Sequence, residues 1–231
     1  MNRTLPTPVS RLRISLILLS LAVFAAAMAG CAAGLTRPDP ERRHYLLQAQ
    51  RSTPPGEHLN SGEILAVRTF RTAPAYDSRS IVALRPGGLA ERNFYERFFL
   101  PPGEMLSGQF RQWLGQSGLF VLVTDLGGMA EPDLILEGFI QELYQDLRGG
   151  PPKAVLAMQL LLLRPRPSGE VEVVRQENLR RALELPDASV KTLVAGWNLA
   201  LEQILLDVEI GLRETVPSRL DATIRIRNDL P

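Results

Sequence analysis

The sequence has few of the side chains on which most catalytic and metal sites depend. Its 231 residues include one cysteine and two histidines. A single cysteine cannot form an intramolecular disulfide, so the stability of the fold must come from its core. His44 and His58 lie near flexible segments, and with one cysteine they supply no ligand set at zinc spacing. We therefore expect no resident metal or other cofactor.

Motifs that mark common enzyme classes are also missing. The chain contains no GxSxG nucleophile elbow, no phosphate loop ending in GK[ST] and no GxGxxG fingerprint. Carboxylates close in sequence could serve glycoside hydrolysis. The pairs are Glu91 with Glu96, Glu131 with Asp133, and Glu137 with Glu142. Charges on amphipathic elements usually face solvent, so we predict a protein that is not an enzyme.

No excess of either charge marks the chain, which has 26 basic and 25 acidic residues. The first 30 residues hold three arginines and no acid, so without them 23 basic residues stand against 25 acidic ones. A nucleic-acid surface would show as a clustered basic excess, which is absent from the sequence. We expect no nucleic-acid partner.

The first informative pattern in the sequence is at the N-terminus. The stretch MNRTLPTPVSRLR is basic, and residues 14–29, ISLILLSLAVFAAAMA, are apolar apart from two serines. A basic start, an apolar run and small residues at its end are typical of a secretory signal peptide. The alternative is an uncleaved membrane anchor, but a spanning helix needs about 20 apolar residues and this run is shorter.

The end of this leader resembles the lipobox of bacterial lipoproteins. Met28, Ala29, Gly30 and Cys31 match its order of one apolar residue, two small ones and a required cysteine. The resemblance implies diacylglycerol on the thiol of Cys31, cleavage before it and acylation of the new amine, for example with palmitate. Two or three acyl chains make a durable anchor. The residue after Cys31 is Ala32 and not an aspartate. The resemblance therefore also implies an outer-membrane location facing the periplasm. The alternative is that Cys31 is a small buried hydrophobe.

The remaining chain predicts one domain of the α+β class. We expect a signal peptide over 1–30, a flexible tether over 31–43, the domain over 44–214 and a C-terminal tail over 215–231. A mixed, mostly antiparallel sheet should carry two main helices, about 101–117 and 188–214, on one face. The second helix has the strongest amphipathic pattern of the chain.

Strands are predicted from short β-rich or alternating runs. They are expected at 44–49, 64–70, 81–84, 89–99, 119–124, 154–163 and 171–185. LFVLVT, residues 119–124, is expected to be buried, and Phe94, Phe98 and Phe99 to lie in the core or an interface. Residues 133–147 fit a helix and a strand equally well.

The domain resembles the ABC-type transport auxiliary lipoproteins, a family that includes the paraquat-inducible protein C group. The resemblance covers roughly residues 44–214 and rests on HYLL, ILAVRTF and PAYDSRSIV. In the last motif the family pattern matches Pro74, Tyr76, Asp77, Arg79, Ile81 and Val82, with Ser78 separating the Asp from the Arg. A tryptophan common in the family before the first helix is replaced here by FFLPPGEM.

The resemblance implies a non-catalytic subunit of a transport system that moves lipids or other hydrophobic molecules between membranes. Its partners would be a periplasmic MCE-domain protein and, through it, an inner-membrane permease and an ATPase. The resemblance is also compatible with a homo-oligomer, either a dimer or a ring. The candidate partner interface is Pro74, Tyr76, Asp77 and Arg79, because an aromatic residue with polar neighbours suits an interface anchor. The alternatives are a bend in which Tyr76 packs locally and Asp77 pairs with Arg79, and a structural envelope lipoprotein that binds peptidoglycan or another outer-membrane assembly machine.

Overall fold

The computed structural model describes residues 18–21, 42–52, 54, 61–128 and 130–216. The chain divides into two compact units, 1–41 and 42–231. In the first unit, residues 18–21 are helical. The lipobox residues Met28 to Cys31 and the tail from 217 lie outside the described residues, as does His58. In the described parts, no helix has the length and apolar character that a membrane crossing requires.

The described residues of the second unit form a nine-stranded sheet and two main helices. The helices are α1, Pro102–Gly115, and α2, Val190–Thr215. A short 3₁₀ turn, Pro86–Gly88, joins two of the strands. The strands are β1 Arg43–Tyr45, β2 Ile64–Val67, β3 Arg71–Thr72, β4 Ser80–Arg85, β5 Leu89–Phe98, β6 Leu122–Asp125, β7 Leu134–Asp146, β8 Lys153–Pro165 and β9 Val171–Glu184. The α+β class and the two main helices are confirmed.

Strand β7 organises the sheet. Along one edge it pairs with β8 in an antiparallel ladder, and β8 pairs in the same way with β9. Its other edge pairs in parallel with β2, then β3, then β4. Strand β6 extends the sheet beyond β2, while β5 and then β1 extend it beyond β4. The antiparallel ladders hold most of the paired residues, and the sheet forks beyond β7 into two separate wings.

Both helices cover the same face of the sheet. Alternate residues of β8 belong to one core together with the buried stripes of α1 and α2: Ala154, Leu156, Met158, Leu160 and Leu162. The period of two in the strand and of about 3.6 in the helices places these apolar side chains on facing surfaces. The strand 154–163 therefore packs its alternate residues into the core beneath α2.

The helix boundaries follow from local chemistry. Pro102 is in the first turn of α1, where the missing N–H removes no intrahelical hydrogen bond. In α2 the N-cap is Ser189, whose side chain accepts a hydrogen bond from the backbone N–H of Thr192 at 3.3 Å. Trp197, in the middle of α2, is fully buried and packs against Phe98 of β5 at 5.5 Å between ring centroids.

Two sequence-based expectations change. Residues 133–147, ambiguous in sequence, contain strand β7. The buried strand predicted over 119–124 is wrong in part: Leu119 is buried, but the strand is Leu122–Asp125 and half of Leu122 is exposed. Among the described residues strand β6 pairs only with β2, so it lies at an edge of this sheet and has one neighbour instead of two.

Candidate functional site

The candidate interface lies on a bend between β3 and β4 that is fixed at both ends. The backbone N–H of Ala73 donates to the carbonyl of Ile140 in β7 at 2.8 Å. At the other end, the N–H of Phe98 in β5 donates to the carbonyl of Arg79 at 2.7 Å. Between them the N–H of Tyr76 closes a turn onto the carbonyl of Ala73. The bend is therefore hydrogen-bonded at each end to a different strand.

Tyr76 packs locally. Its ring stacks on Tyr144 of β7, with 6.0 Å between centroids and 21° between planes. Both rings contact a small cluster formed with Val82 and Val155. Val155 alternates with the core residues of β8, so this cluster lies on the sheet face opposite the helices. Burial raises the pKa of Tyr76, with smaller contributions in the same direction from Tyr144 and Glu142.

The other three residues of the candidate interface are exposed. Arg79 donates to the carbonyl of Phe99 at 3.4 Å, and no ion pair joins it to Asp77, although the structure describes both side chains. Pro74 and Asp77 project from the turn itself. The bend therefore uses Tyr76 as its internal anchor and presents Pro74, Asp77 and Arg79 as the surface that a partner could contact.

A second exposed feature, the aromatic bulge of residues 93–96, interrupts β5. Val82 of β4 pairs with Arg92 and Ser80 pairs with Arg97, so four residues of β5 lie opposite a single residue of β4. The Oδ1 of Asn93 accepts hydrogen bonds from the backbone N–H groups of Tyr95 at 3.1 Å and Glu96 at 2.9 Å. These bonds satisfy backbone groups that the bulge removes from the β4–β5 ladder.

The bulge displays its two aromatic side chains to solvent. Phe94 is 65% exposed and Tyr95 45% exposed, with 5.3 Å between their ring centroids. The guanidinium of Arg42 lies 5.6 Å from the centroid of the Phe94 ring. Of the three phenylalanines predicted to be core or interface residues, only Phe98 is in the core, and Phe99 is also exposed. The sequence pattern alone could not identify the bulge, because bulges depend on register.

Beside the bulge, a pocket of about 480 Å³ opens between β1, β4, β5 and the start of α2. Its floor is closed by Gln145, whose amide donates to the carbonyl of Ala188 at 3.0 Å. The hydroxyl of Tyr45 donates to Glu96 Oε1 at 2.9 Å on one wall. Burial and the Glu96 carboxylate raise the pKa of Tyr45, and nearby Arg43 acts in the opposite direction.

Five of the six carboxylates considered for hydrolysis have other partners, and the sixth, Glu131, is exposed. Glu91 pairs with Arg85, Glu137 with Arg68 and Glu142 with Arg180, while Asp133 accepts from the backbone N–H of Ile64 and Glu96 from Tyr45. In the described ranges no cluster of three or more His, Cys, Asp or Glu could hold a metal ion.

Glu209 of α2 is a buried carboxylate that sequence reasoning missed. Its Oε2 accepts from the indole N–H of Trp113 and from Arg51, and its Oε1 accepts from Arg213, each at 2.8 Å. Arg51 also lies over the Trp113 ring, 4.0 Å from its centroid. With each of its oxygens bonded to the protein, Glu209 connects α1, α2 and the segment after β1.

The fold of the chain resembles that of solved structures. No protein-family model matches the chain, and no curated protein matches it. Among solved structures, protein XCC0632 from Xanthomonas campestris, assigned to family DUF330, is similar with a TM-score of 0.59 and 17% identity, over 74% of this chain and 93% of that one. An uncharacterised protein is similar at a TM-score of 0.58 and 11% identity, over 74% and 99%. At these identities the likeness shows the fold alone.

Proposed function

We propose that this protein is a non-catalytic outer-membrane lipoprotein, a subunit of an ABC/MCE-type system that moves lipids or other hydrophobic molecules between membranes. It would dock the periplasmic MCE-domain protein, and transport energy would come from the ATPase. The transport role rests on the family resemblance of residues 44–214, and the observation that carries the lipid anchor is the position of the single cysteine. Cys31 ends an apolar leader in a lipobox pattern, twelve residues before β1 begins.

The surface of the domain also supports this proposal. Five of the six carboxylates that sequence reasoning paired are engaged by cations or hydrogen-bond donors, and no pair has both members unengaged, so binding is a better use of the surface than hydrolysis. The bend of the PAYDSRSIV motif is rigid at both ends and presents Pro74, Asp77 and Arg79 to solvent. A rigid segment with exposed polar groups loses little conformational entropy when it docks.

The lipid anchor can be tested by the mass of the protein isolated from membranes of the native host. We expect the chain to begin at Cys31 and to carry two or three acyl chains. Cys31→Ser should abolish acylation and leave the leader uncleaved. An unmodified thiol in the membrane-bound wild-type protein would contradict the proposed anchor.

The partner is tested by affinity purification of the lipidated protein from membranes, with mass spectrometry of the proteins and lipids that copurify. We expect an MCE-domain protein. Arg79→Glu should reduce its recovery, whereas Arg166→Glu, a charge reversal on the exposed β8–β9 turn, should not. Tyr76→Phe keeps the stacked ring and should leave the fold and the recovery unchanged. Recovery of peptidoglycan or assembly components alone would contradict the transport role and favour a structural envelope lipoprotein.

A further inference from the structure

The outer edge of strand β6 is apolar, and within the described ranges no strand pairs with it. Val121, Leu122 and Leu126 on and beside this strand are 58%, 45% and 40% exposed. From residue 119 to 126 the sequence has a single charged side chain, Asp125. A free and apolar strand edge readily pairs with a further strand, and proteins usually protect such an edge with charges or cover it. The edge of β6 therefore lacks the usual protection by charge.

The other outer strands of the sheet do not share this property. Strand β1 has only three residues. Strand β9 has fourteen residues, of which six are charged: Glu172, Arg175, Glu177, Arg180, Arg181 and Glu184. All six form ion pairs. Short edge strands and charged edge strands both resist further pairing, so β6 is the edge at which an additional strand is expected.

Helix α2 ends beside the start of this edge. The guanidinium of Arg213, in its last turn, donates to the carbonyl of Ser117 at 2.9 Å. Two residues later, the carbonyl of Leu119 accepts from the backbone N–H of Ser61 at 2.9 Å, which is where the pairing that β6 continues begins. Val216, the last described residue, is buried in the same core as Leu119. The segment that follows Val216 therefore starts near the end of the sheet at which β6 begins.

The direction of the strands is also suitable. Strands β9 and β6 run the same way, because two antiparallel ladders connect β9 to β7 and parallel pairing connects β7 through β2 to β6. Helix α2 runs back along β9, since Thr215 near its end accepts from Arg175 near the start of β9 at 3.0 Å. Parallel strands need a crossover connection, which is usually a helix. A strand formed after Val216 would thus have α2 as its crossover and would run parallel to β6.

The sequence after Val216 has the pattern of such a strand. Residues 220–227 read LDATIRIR and lie outside the described residues. Every second residue is apolar, and the residues between them are polar or charged. The apolar ones are Leu220, Ala222, Ile224 and Ile226. A period of two with one apolar side predicts a half-buried strand. Arg225 and Arg227 also bring positive charge to an edge whose single charged residue is Asp125.

The reach of the chain permits this placement. Leu212 of α2 lines a small cavity together with Leu136 of β7. The position outside β6 is three strand spacings from β7, or about 14 Å. Residues 217–221 can span up to about 17 Å. The tethered segment is also present at a high effective concentration, on the order of millimolar, which gives it an advantage over a second copy of the chain.

We propose that residues 220–227 pair with the outer edge of β6, parallel to it, as an additional strand of the sheet. This strand would cover Leu122 and its exposed neighbours, and it would give LFVLVT the second neighbour that its composition predicted. The proposal rests on the edge, the end of α2 and the alternating pattern, so it is independent of the transport role.

The test compares the full-length protein, extracted from membranes in detergent, with a chain that ends at Val216. Hydrogen–deuterium exchange is followed in peptides covering residues 119–126 and 171–184. One backbone hydrogen bond corresponds to about a fivefold change in an opening equilibrium. We therefore expect exchange at 119–126 to rise at least about fivefold in the shortened chain, and exchange at 171–184 to stay unchanged.

Point variants of the full-length chain separate the strand from a general loss of stability. Ile224→Asp with Ile226→Asp should reproduce the rise at 119–126, because it removes the apolar side of the segment. The matched control, Arg225→Thr with Arg227→Thr, keeps that side and a strand-favouring residue, and should leave exchange unchanged. Thermal unfolding of each chain verifies its fold, and the point variants decide if the shortened chain unfolds.

Three results would overturn the proposal. The first is equal exchange at 119–126 in the full-length chain, the shortened chain and the isoleucine variant. The second is a rise confined to 171–184, which would place the segment on β9. The third is protection of 119–126 that increases with protein concentration, which would indicate that a second copy covers the edge.

Discussion

Replacement of Glu209 by alanine should destabilise the domain more than any change of a surface charge. The substitution leaves a buried indole N–H of Trp113 and the guanidinium groups of Arg51 and Arg213 without their carboxylate. Removal of one partner from a buried ion pair costs about 3–5 kcal/mol. Arg51 keeps the carbonyl of Trp113 and Arg213 keeps that of Ser117, both at 2.9 Å, so the low end of this range, about 3 kcal/mol, is expected.

The assay is equilibrium unfolding in urea, with the m-value measured for every variant. Glu209→Gln retains an acceptor for Trp113 and should be intermediate, because it removes the charge but not the hydrogen bond. Glu214→Ala, at an exposed position on the same helix, is the matched control and should change the free energy of unfolding by less than about 0.5 kcal/mol. If Glu209→Ala is no more destabilising than Glu214→Ala, the network does not hold the helices together and the reasoning is refuted.

Two further predictions concern the sheet. Gly138→Ala should cost about 1–3 kcal/mol, because the new Cβ would lie 2.6 Å from the ring of Phe70, whereas Gly149→Ala meets open space and should be neutral in the same unfolding assay. The Arg148 side chain lowers the pKa of Asp146 from 3.8 to about 2, so this pair stabilises the fold above pH 3.8 and its contribution is lost as the pH falls towards 2. Arg148→Ala should flatten the pH dependence of stability in that window, and an unchanged slope would contradict the assignment.

The elements with strong periodicity could be predicted from sequence. Helix α2 was expected over 188–214 and is Val190–Thr215, because its apolar residues recur at three- and four-residue steps and Ser189 supplies a cap. Strands β8 and β9 were also expected, at 154–163 from an almost wholly apolar run and at 171–185 from an alternating one, and Gly169 adopts a positive φ in the turn between them. Here local preference and tertiary packing agree.

Where the structure of a segment depended on the strands beside it, the sequence alone could not predict that structure. Residues 133–147 fit two periods, and the choice of a strand follows from pairing with β8 on one side and with three short parallel strands on the other. LFVLVT has the composition of a central strand, yet the strand formed at its end has only β2 as a neighbour. The difference between a central and an edge position is set by topology, which local composition does not encode.

The sequence motif predicted part of the candidate interface but not its internal packing. The motif indicated the bend, and the structure shows Tyr76 stacked on Tyr144, a residue 68 positions later in the chain. No spacing within PAYDSRSIV reveals that contact. The interpretation that gave all four residues an equal part in docking is therefore refined: Tyr76 shapes the bend, and the exposed Pro74, Asp77 and Arg79 remain the contact proposed for a partner.

The charge around the pocket is a second feature that the sequence alone does not reveal. In sequence, Arg43 follows Arg42, whereas Arg92 and Lys191 are isolated, and the chain as a whole is nearly neutral. Parallel pairing of β1 with β5 brings Arg43 beside Glu96, and the start of α2 adds Lys191 to the same pocket, whereas Arg92 pairs with Val82 and donates to the carbonyl of Ala75. Net charge constrains what the entire surface attracts, but the local potential depends on which residues converge.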